Sequence, residues 1–222
     1  MIESTECHAC GREPRYCVCE FITPVKTKTS LLILQHPQEP GVDIGTVPII
    51  RCSFPGATVR TGLSWPNLAK ALGREVVPQR WGVLYVGSVQ IEQLPRSNRS
   101  LFVVDKKGAP TAEQESILST LEGVVLLDGT WSQAKTLWWR NAWLLKLKRL
   151  VIRPSSRSLY DRIRKEPRRG CLSTLETVGE VLQQLEGRSD ILPLVQKPLG
   201  ELVMRLSGSR PGSTLRQPRS GS

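Results

Sequence analysis

The amino-acid sequence predicts an α/β domain, a mostly parallel sheet flanked by helices, with a small cysteine-rich element in front of it. Three observations predict this. Four segments, 31–35, 83–87, 101–105 and 124–128, are apolar on nearly every successive residue, as strands buried on both faces are. Longer segments with helical patterning, 111–121, 130–145, 173–185 and 192–206, are interleaved with and follow them, and strand–helix alternation implies right-handed crossovers. Four of the six cysteines fall within the first nineteen residues.

Residues 1–22 read as a cysteine-rich head, 23–206 as the main body (23–30 as a linker), and 207–222, rich in Ser, Gly, Pro and Arg, as a disordered basic tail. The head carries Cys7, Cys10, Cys17 and Cys19 as a Cys-x2-Cys-x6-Cys-x-Cys array. Closely spaced thiols on tight turns suit a tetrahedral ion, and four protein ligands leave no open position, so the metal is read as structural zinc. Disulfides are the alternative, and an intracellular compartment argues against them. Cys52 and Cys171 read as ordinary buried thiols.

The start of the chain holds acids where a signal peptide has lysines, and no apolar run reaches the ~18 residues of a membrane span. A cytoplasmic protein without membrane contact is expected. The formal net charge is +11, and the stretch 135–169 holds twelve basic residues against two acids. Charge concentrated in this way attracts polyanions, which points to a nucleic-acid partner. Lys135, Arg140, Arg164, Lys165, Arg168 and Arg169 are candidate RNA contacts, and Arg60 is a further candidate anion partner. Trp139 and Trp143, four apart within 130–145, are expected to pack in the core. No segment demands an oligomer.

Ligands of parallel sheets collect at the carboxyl ends of strands. Gly87-Ser88, Asp105 and Asp128-Gly129 stand at three such ends. The stretch 124–135 is the most informative: a buried strand ends in Asp128 and Gly129, and Thr130 with Gln133 fits a capping box opening a helix. Gly129 permits a sharp turn or a close approach to a ligand, and Trp131 offers a flat wall for a base. Ser173 and Glu176 form a second capping-box pattern. Glu176 is therefore either a cap or a second acid–base candidate.

Asp128-Gly129-Thr130-Trp131 resembles the Asp-x-Thr-Trp signature of the DTW-domain family. The cysteine head, residues 35–39 (Gln-His-Pro-Gln-Glu) and residues 169–176 (Arg-Gly-Cys-Leu-Ser-Thr-Leu-Glu) are similar to further elements of that family, in the same order. The resemblance implies a tRNA-uridine aminocarboxypropyltransferase with a SPOUT-like fold and a deep trefoil knot. Its partner would be tRNA and its group donor S-adenosylmethionine. Tyr85, Val86, Gly87, Ser88, Asp105, Leu126, Leu127, Asp128, Gly129, Thr130 and Trp131 would then be cofactor-binding. Asp128 would act as general base or hold the donor's ammonium or ribose, and His36 would shape the pocket or contact RNA. A SPOUT-type RNA methyltransferase and a non-catalytic zinc-containing RNA-binding module are the competing readings.

Overall fold

The computed structural model describes residues 6–85, 87, 89–95, 99–159 and 172–208. Its centre is a six-stranded sheet in the order β2-β1-β5-β3-β6-β4, made of β1 (Ser30–Gln35), β2 (Thr58–Thr61), β3 (Trp81–Leu84), β4 (Leu101–Val104), β5 (Gly123–Asp128) and β6 (Lys148–Ile152). All neighbouring pairs are parallel except β4 with β6. The helices are α1 (Val47–Ser53), α2 (Leu68–Leu72), α3 (Gln114–Ser119), α4 (Trp131–Arg140), α5 (Thr174–Glu186) and α6 (Ile191–Ser207).

The two-faced burial expected of the central strands follows from strand alternation. In β1, Leu31 and Ile33 enter one core, formed with α1, α5 and α6. Leu32 and Leu34 enter the other, formed with α2, Trp81, Trp143 and Leu144. β5 divides likewise, with Val124 and Leu126 on the first side and Val125 on the second. Where β3 and β5 begin, a Cβ on Gly123 would stand 2.5 Å from the Trp81 ring, so only glycine lets that indole cross the sheet.

Several elements differ from the sequence expectation. β2, β6, α1 and α2 are short, of four to seven residues, too short to carry a clear period. The expected helix over 130–145 stops at Arg140. Asn141 turns the chain there, with its Nδ2 donating to Leu63 O and Leu137 O, and a 3-10 segment, Ala142–Lys146, follows. The strand expected over 83–87 ends at Leu84, and α3 occupies only part of 111–121. Within the stretch read as a linker, Val25 and Thr29 are buried, and Val25 N donates to Ser53 O. α6 reaches Ser207; the rest of the expected tail from 209 onward lies outside the described residues.

Candidate active site at the carboxyl edge of the sheet

Strand register alone builds the first part of the site. Thr61, Gln35 and Asp128 end β2, β1 and β5, and the pairing sets them side by side. Thr61 Oγ1 donates to Gln35 Oε1 at 3.2 Å, and Gln35 Nε2 donates to Asp128 Oδ2 at 3.1 Å. The row is completed from the first turn of α5, where Thr174 Oγ1 donates to Asp128 Oδ1 at 2.7 Å. Asp128 is 7% exposed. Gln35 and Thr174 thus donate to the two oxygens of a buried carboxylate.

A cavity of about 200 Å³ opens next to this row. Leu84, Leu126 and Leu127 form its floor, Tyr85 and Trp131 its aromatic walls, and Ile152 and Pro154 part of its rim. Thr174 and Thr177, three apart on α5, face it from one side, as Trp131 and Ala134 do on α4. Tyr85 is stiffened by stacking on Trp138, with centroids 4.1 Å apart and planes within 10°. Burial pushes the Tyr85 hydroxyl above its ordinary value, so it stays protonated at neutral pH. Arg149 Nε donates to Tyr85 O at 3.2 Å, and burial lowers the pKa of that guanidinium. A Cβ on Gly87, at φ +55°, would come within 2.6 Å of Arg149 Nη2. Val86 and Ser88 lie outside the described residues.

The turn from β5 into α4 has the expected capping box. Thr130 Oγ1 accepts from Gln133 N, and Gln133 Oε1 accepts from Thr130 N at 2.6 Å. Gln133 Nε2 reaches across to Gln38 Oε1, tying the helix start to the loop after β1. Gly129 lines the cavity, and a Cβ there would meet Gln133 Cβ at 2.8 Å. His36 N donates to Asp128 O, and His36 Nδ1 accepts from Gln38 N. Burial lowers the His36 pKa, which favours the neutral imidazole that this bond requires.

Other candidates stand elsewhere. β4 is antiparallel, so Val104 pairs with Arg149 near the start of β6 and its carboxyl end points away from the edge that holds Asp128. Asp105 is exposed, and its Oδ1 accepts from Lys107 N and Ala109 N in a tight turn. It is not a lining residue of the cavity. Glu176 is 2% exposed and its carboxylate is filled by four donors: Ser158 Oγ, Leu159 N, Ser173 N and Ser173 Oγ. That makes it a cap and a clamp on the chain at 158–159. Glu180, one turn on, grips Ser155 through both its N and Oγ. Sequence reading missed Glu180, Gln35, Thr61, Thr174 and Thr177. Their signals are a second glutamate four residues along an otherwise apolar helix face, and polar residues at strand or helix ends.

Lys135 and Arg140 are exposed on α4. Arg60 Nε donates to Ala71 O, a structural bond. Arg164, Lys165, Arg168 and Arg169 lie outside the described residues, as does Cys171. Trp143 is buried, with Nε1 donating to Trp65 O. Trp139, expected beside it, is 72% exposed, because the break at Asn141 takes the two indoles off a common helix.

In the head, the four sulfurs of Cys7, Cys10, Cys17 and Cys19 all lie within 4.8 Å of one another. Cys7 and Cys19 are 3.9 Å apart, and Cys10 and Cys17 3.8 Å. Tetrahedral bonds of about 2.3 Å to one ion set sulfurs about 3.8 Å apart, so the donor set and spacing suit a closed tetrahedral metal site. Backbone N–H groups of Cys10 and Ala9 lower the Cys7 thiol to about 6, while burial raises Cys17 and Cys19. Arg12 fixes the head to the loop after β1 by donating to Asp43 O and Gly45 O. Arg205 of α6 fixes it from the other side, through Cys17 O and Glu20. Among the described residues no helix is long and apolar enough to cross a membrane.

The chain is 30% identical over 203 residues to the mouse tRNA-uridine aminocarboxypropyltransferase 2, covering 89% of this chain and 62% of the relative. It is 28% identical to that of Macaca fascicularis, over 89% and 62%, and 26% identical to that of Drosophila melanogaster, over 89% and 73%. The chain thus spans under two thirds of the length of the two mammalian relatives. No solved structure matches it. The model of the DTW domain matches residues 4–206, and the chain therefore belongs to the DTW-domain family.

Proposed function

We propose that this protein is a tRNA-uridine aminocarboxypropyltransferase. It takes the 3-amino-3-carboxypropyl group from S-adenosylmethionine to N3 of a uridine in tRNA and releases methylthioadenosine. One observation carries the reading. The family signature, residues 128–131, supplies a buried carboxylate, a lining glycine, a helix cap and an aromatic wall beside one cavity, in a chain whose relatives bear that name. The SPOUT-like, knotted form of the fold is part of the same proposal.

The donor, when bound, supplies an electrophilic carbon beside a sulfonium, and which of its three carbons reacts depends on alignment. Trp131 and Tyr85 cover planar rings, and residues 85–88 with 126–131 hold the donor. Thr174 carries the proton step. Its hydroxyl donates to Asp128 and the residue lines the cavity, so the hydroxyl oxygen keeps lone pairs with which to accept from a bound base. Uridine N3–H donates to Thr174 Oγ1, and the Thr174 proton passes to Asp128, which ends the step protonated. The basic stretch 135–169 takes tRNA phosphates. The cysteine head holds zinc as a structural ion, and the protein works in the cytoplasm.

Chromatography of a reaction with unmodified tRNA tests this reading. Methylthioadenosine should accumulate only when tRNA is present. Adenosylhomocysteine in its place would make the protein a methyltransferase.

A further inference from the structure

The surface of α4 holds a feature that the cavity does not use. Among the described residues, Trp139 is the most exposed of the large apolar side chains, at 72%. It shares a side of the helix with Lys135 and Trp131, each four residues apart. Trp131 lines the cavity, and eight residues of rise put Trp139 about 12 Å further along the helix axis. The platform is rigid. Neighbouring Trp138 is stacked on Tyr85, and the helix end is pinned to residues 63–65 by Asn141, which accepts from Trp65 N and donates to Leu63 O.

The charge flanking it along the sequence has one sign. No acid occurs between Asp128 and Asp161, while Lys135, Arg140, Lys146, Lys148, Arg149, Arg153 and Arg157 all fall there. Lys135, Arg140 and Lys146 are exposed, and none forms an ion pair with another described residue. A flat, wet indole among exposed cations matches the two parts of single-stranded nucleic acid, a base face and a phosphate.

We propose that Trp139 is a stacking platform for an unpaired nucleobase of the tRNA close to the target uridine, with Lys135 and Arg140 on the intervening phosphates. The inference rests on the proposed RNA substrate, but it concerns recognition outside the reaction cavity. The indole selects tRNAs whose target uridine lies in a single-stranded segment, since a paired neighbour has no free face to offer.

The test measures binding without the group donor, so it does not depend on which carbon is transferred. Unmodified tRNA transcript and a short oligouridylate are titrated by filter binding against wild type, Trp139→Ala, Trp139→Phe and Lys135→Gln. Trp139→Ala should weaken binding of both RNAs by about tenfold, the scale of one lost base stack. Trp139→Phe should restore most of it, and Lys135→Gln should reduce the salt dependence. Circular dichroism and binding of S-adenosylmethionine should be unchanged in Trp139→Ala, which separates the platform from a folding defect. Wild-type RNA affinity in Trp139→Ala would overturn the inference. So would loss of a dimer on sedimentation with RNA affinity intact, which would make the indole a self-association contact. If wild type binds RNA through Trp139 yet transfers no aminocarboxypropyl group, the enzyme reading fails and the platform stands.

Discussion

Thr174 and Asp128, forty-six residues apart, are joined by a 2.7 Å hydrogen bond in which the threonine hydroxyl donates to the carboxylate. The bond joins the family signature on β5 to the start of α5, beside the cavity that Thr174 lines.

Removing either partner should therefore cost chemistry more than fold. Asp128→Asn should lower the transfer rate by about 10²-fold or more, the usual scale of a lost acid–base group. Thr174→Val should fall in the same direction with little loss of stability, and Thr174→Ser should recover most of the rate. Single-turnover rates alongside calorimetric binding of S-adenosylmethionine separate the roles. If Asp128→Asn abolishes donor binding and leaves the rate of the bound complex intact, Asp128 holds the donor instead.

Glu176 is a clamp, so its loss should be structural. Glu176→Gln keeps the shape but loses the charge that accepts four donors. It should destabilise the protein by about 2 kcal/mol, read as a lower urea midpoint, with kcat nearly unchanged at low temperature. A stable variant with a large kcat loss would return Glu176 to the chemistry.

His36 gives stability a pH dependence of known sign. Its folded pKa lies below the ordinary 6.5 because of burial, so the unfolded chain takes the proton first as pH falls. The contribution is fully present above pH 6.5 and is lost as pH falls through the folded value. His36→Gln should flatten that limb of the pH–stability curve. An unchanged limb would assign it to other groups.

The head should hold about one zinc per chain. Chelation, or Cys10→Ser, should lower the melting temperature and make the loop at 43–45 more open to proteolysis, since Arg12 couples the two. Full metal content in Cys10→Ser by elemental analysis would contradict this.

What was legible in the sequence follows from how local each signal is. The clustering of the four head cysteines, both capping boxes and the buried strands β1 and β5 are local patterns, and they stand in the structure as read. Asp105 stands away from the cavity because an apolar strand ending in an acid says nothing of strand direction, and β4 runs antiparallel. Gln35, Thr61 and Thr174 were not singled out because their role comes from sheet register and from a helix packed across the edge. Trp139 was misassigned because one Asn, by ending α4, decided which indole is buried.

On the proposed function, this site moves the aminocarboxypropyl chain of the donor. The most direct measurement supplies unmodified tRNA with S-adenosylmethionine labelled either in the methyl or in the carboxyl group, and counts label in the purified RNA. Label should reach RNA from the carboxyl-labelled donor alone, and should be lost in Asp128→Asn. Label arriving from the methyl group, or none from either across a panel of uridine-containing tRNAs, would contradict it.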